Sequence, residues 1–260
     1  MTVTQTVLRI RVINPTISNE WNEEMASFLD DPGIILEPVA LDYGTASIES
    51  RVDDELAVPG IIEQAILAEQ SGADGVVVNC MDDPGLHAAR EAVRIPVSAP
   101  GEAGMHLASM LGHRFAIVTT SEEDIPMVEE LIARNGLSDS AGPVRALGLP
   151  VLELVTDPGA TLDAFVAASA AAVFEDGAGV IIPGCSLLSS MAGIAARMLA
   201  ERGAAVPVLN PLLVAIRQIE TMIRLGVTHS RRSYPPPVAK PLEWHDPSME
   251  LGPRLESGRT

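Results

Sequence analysis

Apolar runs short enough to be strands alternate along this chain with longer stretches whose apolar residues recur at helical spacing, and the alternation runs through twice. Residues 7–13 (VLRIRVI) and 114–119 (RFAIVT) each open a passage as a buried strand. Each is followed by a polar turn rich in capping residues and a helical pattern ending near Leu29 or Asn135. A second apolar run comes next, 34–41 or 144–149, and then an amphipathic helix, 57–70 or 161–174. Each passage continues with a third strand, a helical stretch, a short strand at 95–97 or 206–208, and a helix closing at Leu111-Gly112 or Leu225-Gly226. Apolar strands separated by helices predict parallel βαβ units. The fold class expected is therefore α/β, in two pseudo-symmetric lobes. Each is a short parallel sheet flanked by helices in the flavodoxin-like or Rossmann-like manner, with the active site in the cleft between them.

The third strand of each passage ends in a cysteine, and Cys80 and Cys185 are the two cysteines of the chain. Gly72-Ala73-Asp74-Gly75-Val76-Val77-Val78-Asn79-Cys80 and Gly177-Ala178-Gly179-Val180-Ile181-Ile182-Pro183-Gly184-Cys185 both place Gly-Ala eight residues ahead of the thiol. Two thiols at equivalent places in a repeat suit a reaction that takes a proton from one face of a carbon and returns one to the other. Racemisation or epimerisation is that reaction. The plain alternative is that each is a small buried hydrophobe. Position favours chemistry, because open α/β sheets bind ligands at the carboxyl edge where these strands end. Backbone N–H groups and a following helix dipole are expected to favour the thiolate, bringing a thiol pKa of about 8.5 toward neutrality. Asp82 and Asp83 oppose this if they point at Cys80. Otherwise they are expected as solvated residues at the start of the next helix, with Pro84 in its first turn.

Composition narrows the partners. The 260 residues are 47% hydrophobic and 3% aromatic, enough for two cores of Val, Ile, Leu and Ala. A net charge of -18 argues against nucleic acid or an anionic membrane as partner, since either wants Lys and Arg clustered on a face. No basic leader or apolar stretch of spanning length is read, so a soluble, cytoplasmic protein with two free thiols is expected. The single lysine, Lys240, lies between prolines in the tail, which disfavours a pyridoxal-phosphate Schiff base and any core catalytic lysine. No P-loop, G-x-G-x-x-G or G-x-S-x-G motif is present, and Asn14-Pro15-Thr16 follows the first strand instead. The five histidines are scattered, with Glu102 and His106 the one helically spaced pair, so neither metal nor cofactor is expected.

Several spaced motifs now point the same way. They are Ile13-Asn14-Pro15-Thr16, residues 44–49 with 53–60 following, Asn79-Cys80-Met81-Asp82-Asp83-Pro84-Gly85-Leu86, Pro96-Val97, Gly101-Glu102-Ala103, 115–120, Gly184-Cys185, and Ser230-Arg231-Arg232-Ser233-Tyr234. In this order, from about Arg9 to Pro241, the chain resembles the hydantoin racemases (hydantoin and allantoin racemases) of the aspartate/glutamate racemase superfamily. The resemblance implies a cofactor-independent two-base mechanism, in which Cys80 and Cys185 face each other across the cleft and exchange the roles of thiolate base and thiol acid. After the second cysteine the chain departs from the family's small residues and glycine, reading Ser186-Leu187-Leu188-Ser189-Ser190-Met191. The resemblance also implies interleaved lobes: 1–98 joined by a returning helix at 211–232, a second lobe at 99–210, and a Pro-rich tail at 233–260. Dimers or higher assemblies are common in the family, so a homo-oligomer is expected, with the segment from Pro235 to Pro241 packed against protein.

Around the thiols, Asn14, Thr119 and Thr120 close strands and are expected to border the cleft, as helix caps or as hydrogen-bonding groups for substrate. Gly184 and Ser186 flank the second thiol as substrate-binding positions. Ile48, Met81 and Leu187 are expected as an apolar wall for a substrate side chain, or else as core. Arg9 and Arg11 are placed at the edge or mouth of the first strand. The expected function is a racemase acting at C5 of a 5-substituted hydantoin or of allantoin, a small cyclic ureide whose enolate-like charge backbone N–H groups can stabilise. The alternatives are another cysteine-dependent reaction of the superfamily, such as racemisation of an acidic amino acid or isomerisation of maleate, and a non-catalytic protein that binds a small metabolite.

Overall fold

A computed structural model describes residues 7–20, 22 and 29–238. The first helical pattern, ending near Leu29, falls largely outside the described residues, as do Lys240 and most of the tail.

Two parallel sheets form. The first has the order β2-β1-β3-β4, from β1 (Leu8–Ile13), β2 (Ile34–Val39), β3 (Gly75–Val78) and β4 (Val97–Ser98). The second has the order β6-β5-β7, from β5 (Phe115–Thr119), β6 (Arg145–Ala146) and β7 (Val180–Pro183). Both faces of each sheet are covered, which is why these strands read as continuous apolar runs rather than alternating ones. Along β3, Val76 and Val78 pack with Ala57, Ile61 and Ala65 of α1 (Arg51–Gln70), while Val77 points the other way, toward Leu212, Ile216 and Ile219 of α7 (Pro211–Leu225). In β5, Ala116 and Val118 pack with Phe165 and Val166 of α5 (Pro158–Phe174). Phe115 and Ile117 pack with Met105 and Ala108 of α3 (Pro100–Leu111) and Leu131 of α4 (Ile125–Arg134). The remaining helices, α2 (Leu86–Ala92) and α6 (Ala192–Glu201), follow the two cysteines.

Local capping shifts some boundaries. Helix α1 starts six residues before the apolar periodicity does, because the Ser50 side chain accepts from Asp53 N–H at 3.3 Å and Asp53 accepts from Glu49 N–H at 3.2 Å. The run at 144–149 pairs only over Arg145–Ala146, and the expected strand at 206–208 reduces to a parallel bridge between Val208 and Ile181. Helix α7 starts at Asn210, whose side chain accepts from Leu213 N–H at 2.9 Å, with Pro211 in the first turn, and it ends on the left-handed Gly226 (φ 67°). It packs against α3, β3 and β4, so the chain returns to the first sheet after completing the second.

Beyond α7, residues 228–234 strap the first sheet. Thr228 donates to the Arg94 carbonyl at 2.8 Å, Arg231 donates to the carbonyls of Arg90, Glu91 and Val93, and the Arg90 guanidinium donates to the Tyr234 hydroxyl at 3.3 Å. Arg90 is buried and makes a two-point pair with Glu102 on α3, at 2.9 and 2.6 Å. His229 Nε2 accepts from Val97 N–H at 2.9 Å, which requires an unprotonated ring nitrogen. Pro235, Pro236, Pro237 and Val238 are exposed on the single chain.

Burial, followed by the nearby Arg90 charge, pushes the His229 imidazole down to about 4. An undocked histidine titrates at about 6.5, so the strap's contribution is complete above that pH and lost as the pH falls through the docked value. Amide-exchange protection of residues 228–234, corrected for intrinsic rates, should therefore drop between about pH 6.5 and about pH 4. Protection that is constant or rises over that interval would contradict this assignment.

Candidate active site

Four strand ends meet at one level. Asn79 N–H donates to the Ile13 carbonyl at 2.8 Å, and Gly184 N–H donates to the Val118 carbonyl at 2.7 Å, so the residue before each cysteine is held by the same backbone bond in the two sheets. The side chains at this matched place differ. Asn79 Nδ2 donates to Asn14 Oδ1 at 2.8 Å, and Asn14 Nδ2 donates in turn to Asn22. Gly184 carries no side chain because a Cβ there would sit 2.7 Å from Thr119 Cα.

Cys80 and Cys185 follow, both half-buried free thiols, on the wall of a single cleft. The residues expected from sequence at the cleft line it. Asn14, Ile48, Cys80 and Met81 come from the first lobe, and Thr119, Thr120, Gly184, Cys185 and Ser186 from the second. Leu187 joins them, while Arg9 and Arg11 instead pair with Glu37 on the neighbouring strand. Several polar groups are engaged within the protein. Thr120 and Thr119 hydroxyls donate to Asp124 at 2.6 and 3.3 Å, and Ser121 N–H joins them at 2.9 Å. At the rim, Glu49 accepts from Val151 N–H at 3.4 Å, bridging the lobes.

Asp83 is buried and Asp82 half-buried, and neither caps the helix that follows them. A turn occupies Met81 to Gly85, and α2 begins at Leu86 with the left-handed Gly85 (φ 62°) before it. Asp83 is 4% exposed and accepts from the N–H groups of Gly101 and Glu102 at 2.8 and 2.6 Å. It thereby caps α3, whose own N-cap position is an alanine with no side chain to offer. Burial pushes its carboxyl up to about 8 against the pull of those two donors. Asp82 turns into the cleft, with Oδ2 3.9 Å from Cys80 Sγ.

The thiols are also less acidic than their strand-end position suggests. Burial raises Cys80 well above the ordinary thiol range and the Asp82 charge adds to it, while the Asp82 N–H opposes. Burial pushes Cys185 up to about 12, assisted by Asp82, Asp124 and Glu49 and opposed by the Leu187 N–H. Desolvation outweighs the dipole argument because α2 begins six residues beyond Cys80. After Cys185 the chain enters a 3-10 turn, Ser186–Met191, instead of an α-helix.

Sequence reasoning did not single out Asn79, Asp124 or the rim residues Ser47, Val151, Leu152 and Val155, which also line the cleft. Asn79 was signalled by its place beside Cys80. Residues 151–155 fall between β6 and α5, in a stretch whose apolar spacing matches no regular element. Among the described residues, no group of three or more His, Cys, Asp or Glu is arranged to hold a metal ion, and no helix is long and apolar enough to cross a membrane.

Comparison with known proteins follows the same lines. A sequence profile described as Asp/Glu/Hydantoin racemase matches residues 10–219. The chain is 34% identical over 230 residues to a hydantoin racemase of Pseudomonas sp. (strain NS671), covering 86% of this chain and 89% of that one. Among solved structures, an allantoin racemase from Klebsiella pneumoniae superposes with a TM-score of 0.85 at 32% identity, covering 91% of this chain and 96% of that one. An allantoin racemase from Pseudomonas fluorescens gives a TM-score of 0.84 at 28% identity, covering 91% and 100%.

Replacing Asp83 by alanine uncaps α3 and frees the turn that carries Cys80. A loss of about 1–2 kcal/mol is expected, seen as a fall of several degrees in Tm. An unchanged melting curve would show that the cap does not hold this helix start.

Proposed function

The chain belongs to the Asp/Glu/hydantoin racemase family and is a racemase, and from that premise we propose that it inverts C5 of a 5-substituted hydantoin without a cofactor, using Cys80 and Cys185 as the two acid/base groups. The observation that carries this reading is the pair of thiols at matched strand ends, one from each lobe, lining a single cleft.

The chemistry follows from the substrate class. A C5 proton of a hydantoin lies between a carbonyl and a ring nitrogen, so its removal leaves charge delocalised onto the carbonyl oxygen. One cysteine, as thiolate, takes that proton, and the other, as thiol, delivers its own to the opposite face. Running the same steps from the other side interconverts the other enantiomer. A serine in place of either cysteine is a far weaker base near neutral pH.

The apolar side chains of Ile48, Met81, Leu152, Val155 and Leu187 on the wall favour a hydrocarbon 5-substituent. A second reading, allantoin with its ureido group, draws support from the close superposition on two allantoin racemases. Turnover of matched alkyl and ureido substrates separates the two.

Cys80→Ala and Cys185→Ala should each abolish racemisation by at least about a thousandfold, followed by polarimetry or chiral chromatography. In deuterium oxide, each single variant should still exchange C5–H of one enantiomer without inversion, and the two variants should act on opposite enantiomers. Full racemisation by either variant would remove the two-base mechanism. Equal exchange of both enantiomers by one variant would mean that the cysteines are not the bases.

A further inference from the structure

We propose that Asp82 is a positioning residue for Cys80, taking up the thiol proton when Cys80 becomes the base and releasing it when the cycle resets, while Cys185 loses its proton with no carboxylate beside it. The proposal rests on the racemase reading and deepens it at one of the two thiols.

The argument comes from a matched comparison within the molecule. At each thiol the backbone N–H of the residue two positions on works against the effect of burial, that of Asp82 for Cys80 and that of Leu187 for Cys185. Both of those residues line the cleft. The side chain at the matched place is thus a carboxylate beside one thiol and an isobutyl group beside the other. Asp82 Oδ2 stands 3.9 Å from Cys80 Sγ, within reach of a thiol donor, whereas Leu187 offers Cys185 no acceptor.

The surroundings suit a proton store. Facing Asp82 are Asp54 on α1, Asp124 just before α4, and Arg134 on α4, which donates to the Asp82 carbonyl at 3.4 Å. Cys185 acts on Cys80 across the cleft, and Glu49 faces Cys185 from the rim. Burial and the Asp124 charge push the Asp82 carboxyl up to about 6, against Cys80 and Arg134, so that it can carry a proton near neutrality.

The protons balance through a cycle. The Cys80 S–H bond breaks and an O–H bond forms on Asp82. The substrate C5–H bond breaks, its proton re-forming the S–H of Cys80 and its electron pair passing toward the ring carbonyl oxygen. The Cys185 S–H then breaks and its proton closes the opposite face of C5. Asp82 is left protonated and Cys185 ionised, which is the form competent for the other enantiomer. Transfer of one proton from Asp82 to Cys185 through water restores the first form.

Two enantiomers in solution have equal free energy, so Asp82 cannot favour one direction in kcat/KM. Its effect has to be read on one thiol at a time. The test is C5 deuterium exchange of separate D- and L-5-isopropylhydantoin by Cys185→Ala and by Cys80→Ala, each with and without Asp82→Asn. With Cys80 alone, exchange should be nearly flat from about pH 7 to about pH 9, because one proton shared by the pair is the active form throughout. Adding Asp82→Asn should remove this plateau and make exchange climb about tenfold per pH unit across the same interval. Asp82→Glu in place of Asp82→Asn should restore part of the flat profile. With Cys185 alone, Asp82→Asn should change exchange less than about threefold. Exchange by Cys80 with an unchanged pH profile without Asp82, or equal changes of profile at both thiols, would overturn the proposal. If the wild-type chain fails to racemise and neither thiol exchanges the substrate, the racemase reading fails on its own. Site-resolved iodoacetamide labelling of the full chain then decides the pairing. Asp82→Asn must shift the pH dependence of Cys80 labelling more than that of Cys185, and equal or absent shifts overturn it.

Discussion

The carboxyl group of Asp83 on the first turn of α3 is the contact on which the site's geometry depends. That helix connects the two sheets and packs in both cores, Ala103 against α7 on one side and Met105 and Ala108 against β5 and β7 on the other. Its first turn can approach the Cys80 turn this closely because residue 101 is glycine. A Cβ there would collide with the Met81 carbonyl and stand 2.8 Å from Asp83 Oδ1. Asp83 lies three residues after Cys80, so one pair of hydrogen bonds sets both where α3 begins and how the first thiol is presented. Arg90 and Glu102 tie the same helix start to the C-terminal strap, joining it to the first sheet from below.

Burial sets the chemical character of the cleft. Thiols lodged between two apolar lobes lose hydration, and among the described residues no cationic side chain offsets that loss in full. Such thiols are weak acids but strong bases once ionised, which is what removing a carbon-bound proton requires. A place for the displaced proton then matters more than a low thiol pKa. In the mechanism proposed above, that place is the Asp82 carboxyl group, 3.9 Å from the Cys80 sulfur.

The two lobes repeat a backbone more faithfully than they repeat side chains. The bonds from Asn79 and Gly184 to the preceding strands are equivalent, and at both sulfurs the N–H two residues on opposes the effect of burial. Asn79 nevertheless hydrogen-bonds Asn14 where Gly184 must be bare, and Asp82 stands where Leu187 does. The first sheet has four strands and the second three, because the segment after α6 bridges β7 at Val208 without extending into a strand. The two thiols thus stand at equivalent backbone places in unequal surroundings.

Most of the fold could be read from the chain itself. Apolar periodicity located the strands and helices, since a strand buried on both faces and a helix buried on one impose distinct local patterns. The repeated Gly-Ala before each cysteine placed the thiols at equivalent strand ends, and strand ends in parallel sheets open onto a shared cleft. Local order could not reveal that Asp83 caps a helix starting some way further along the chain, nor that Asp82 turns toward Cys80 in the cleft. Nor could it show that residues 151–155 roof the cleft, or that burial outweighs helix dipoles at both sulfurs. Those outcomes depend on which groups lie within a few ångströms once the lobes have packed, and hydrogen bonding, desolvation and Coulomb effects act over that distance whatever the separation along the chain.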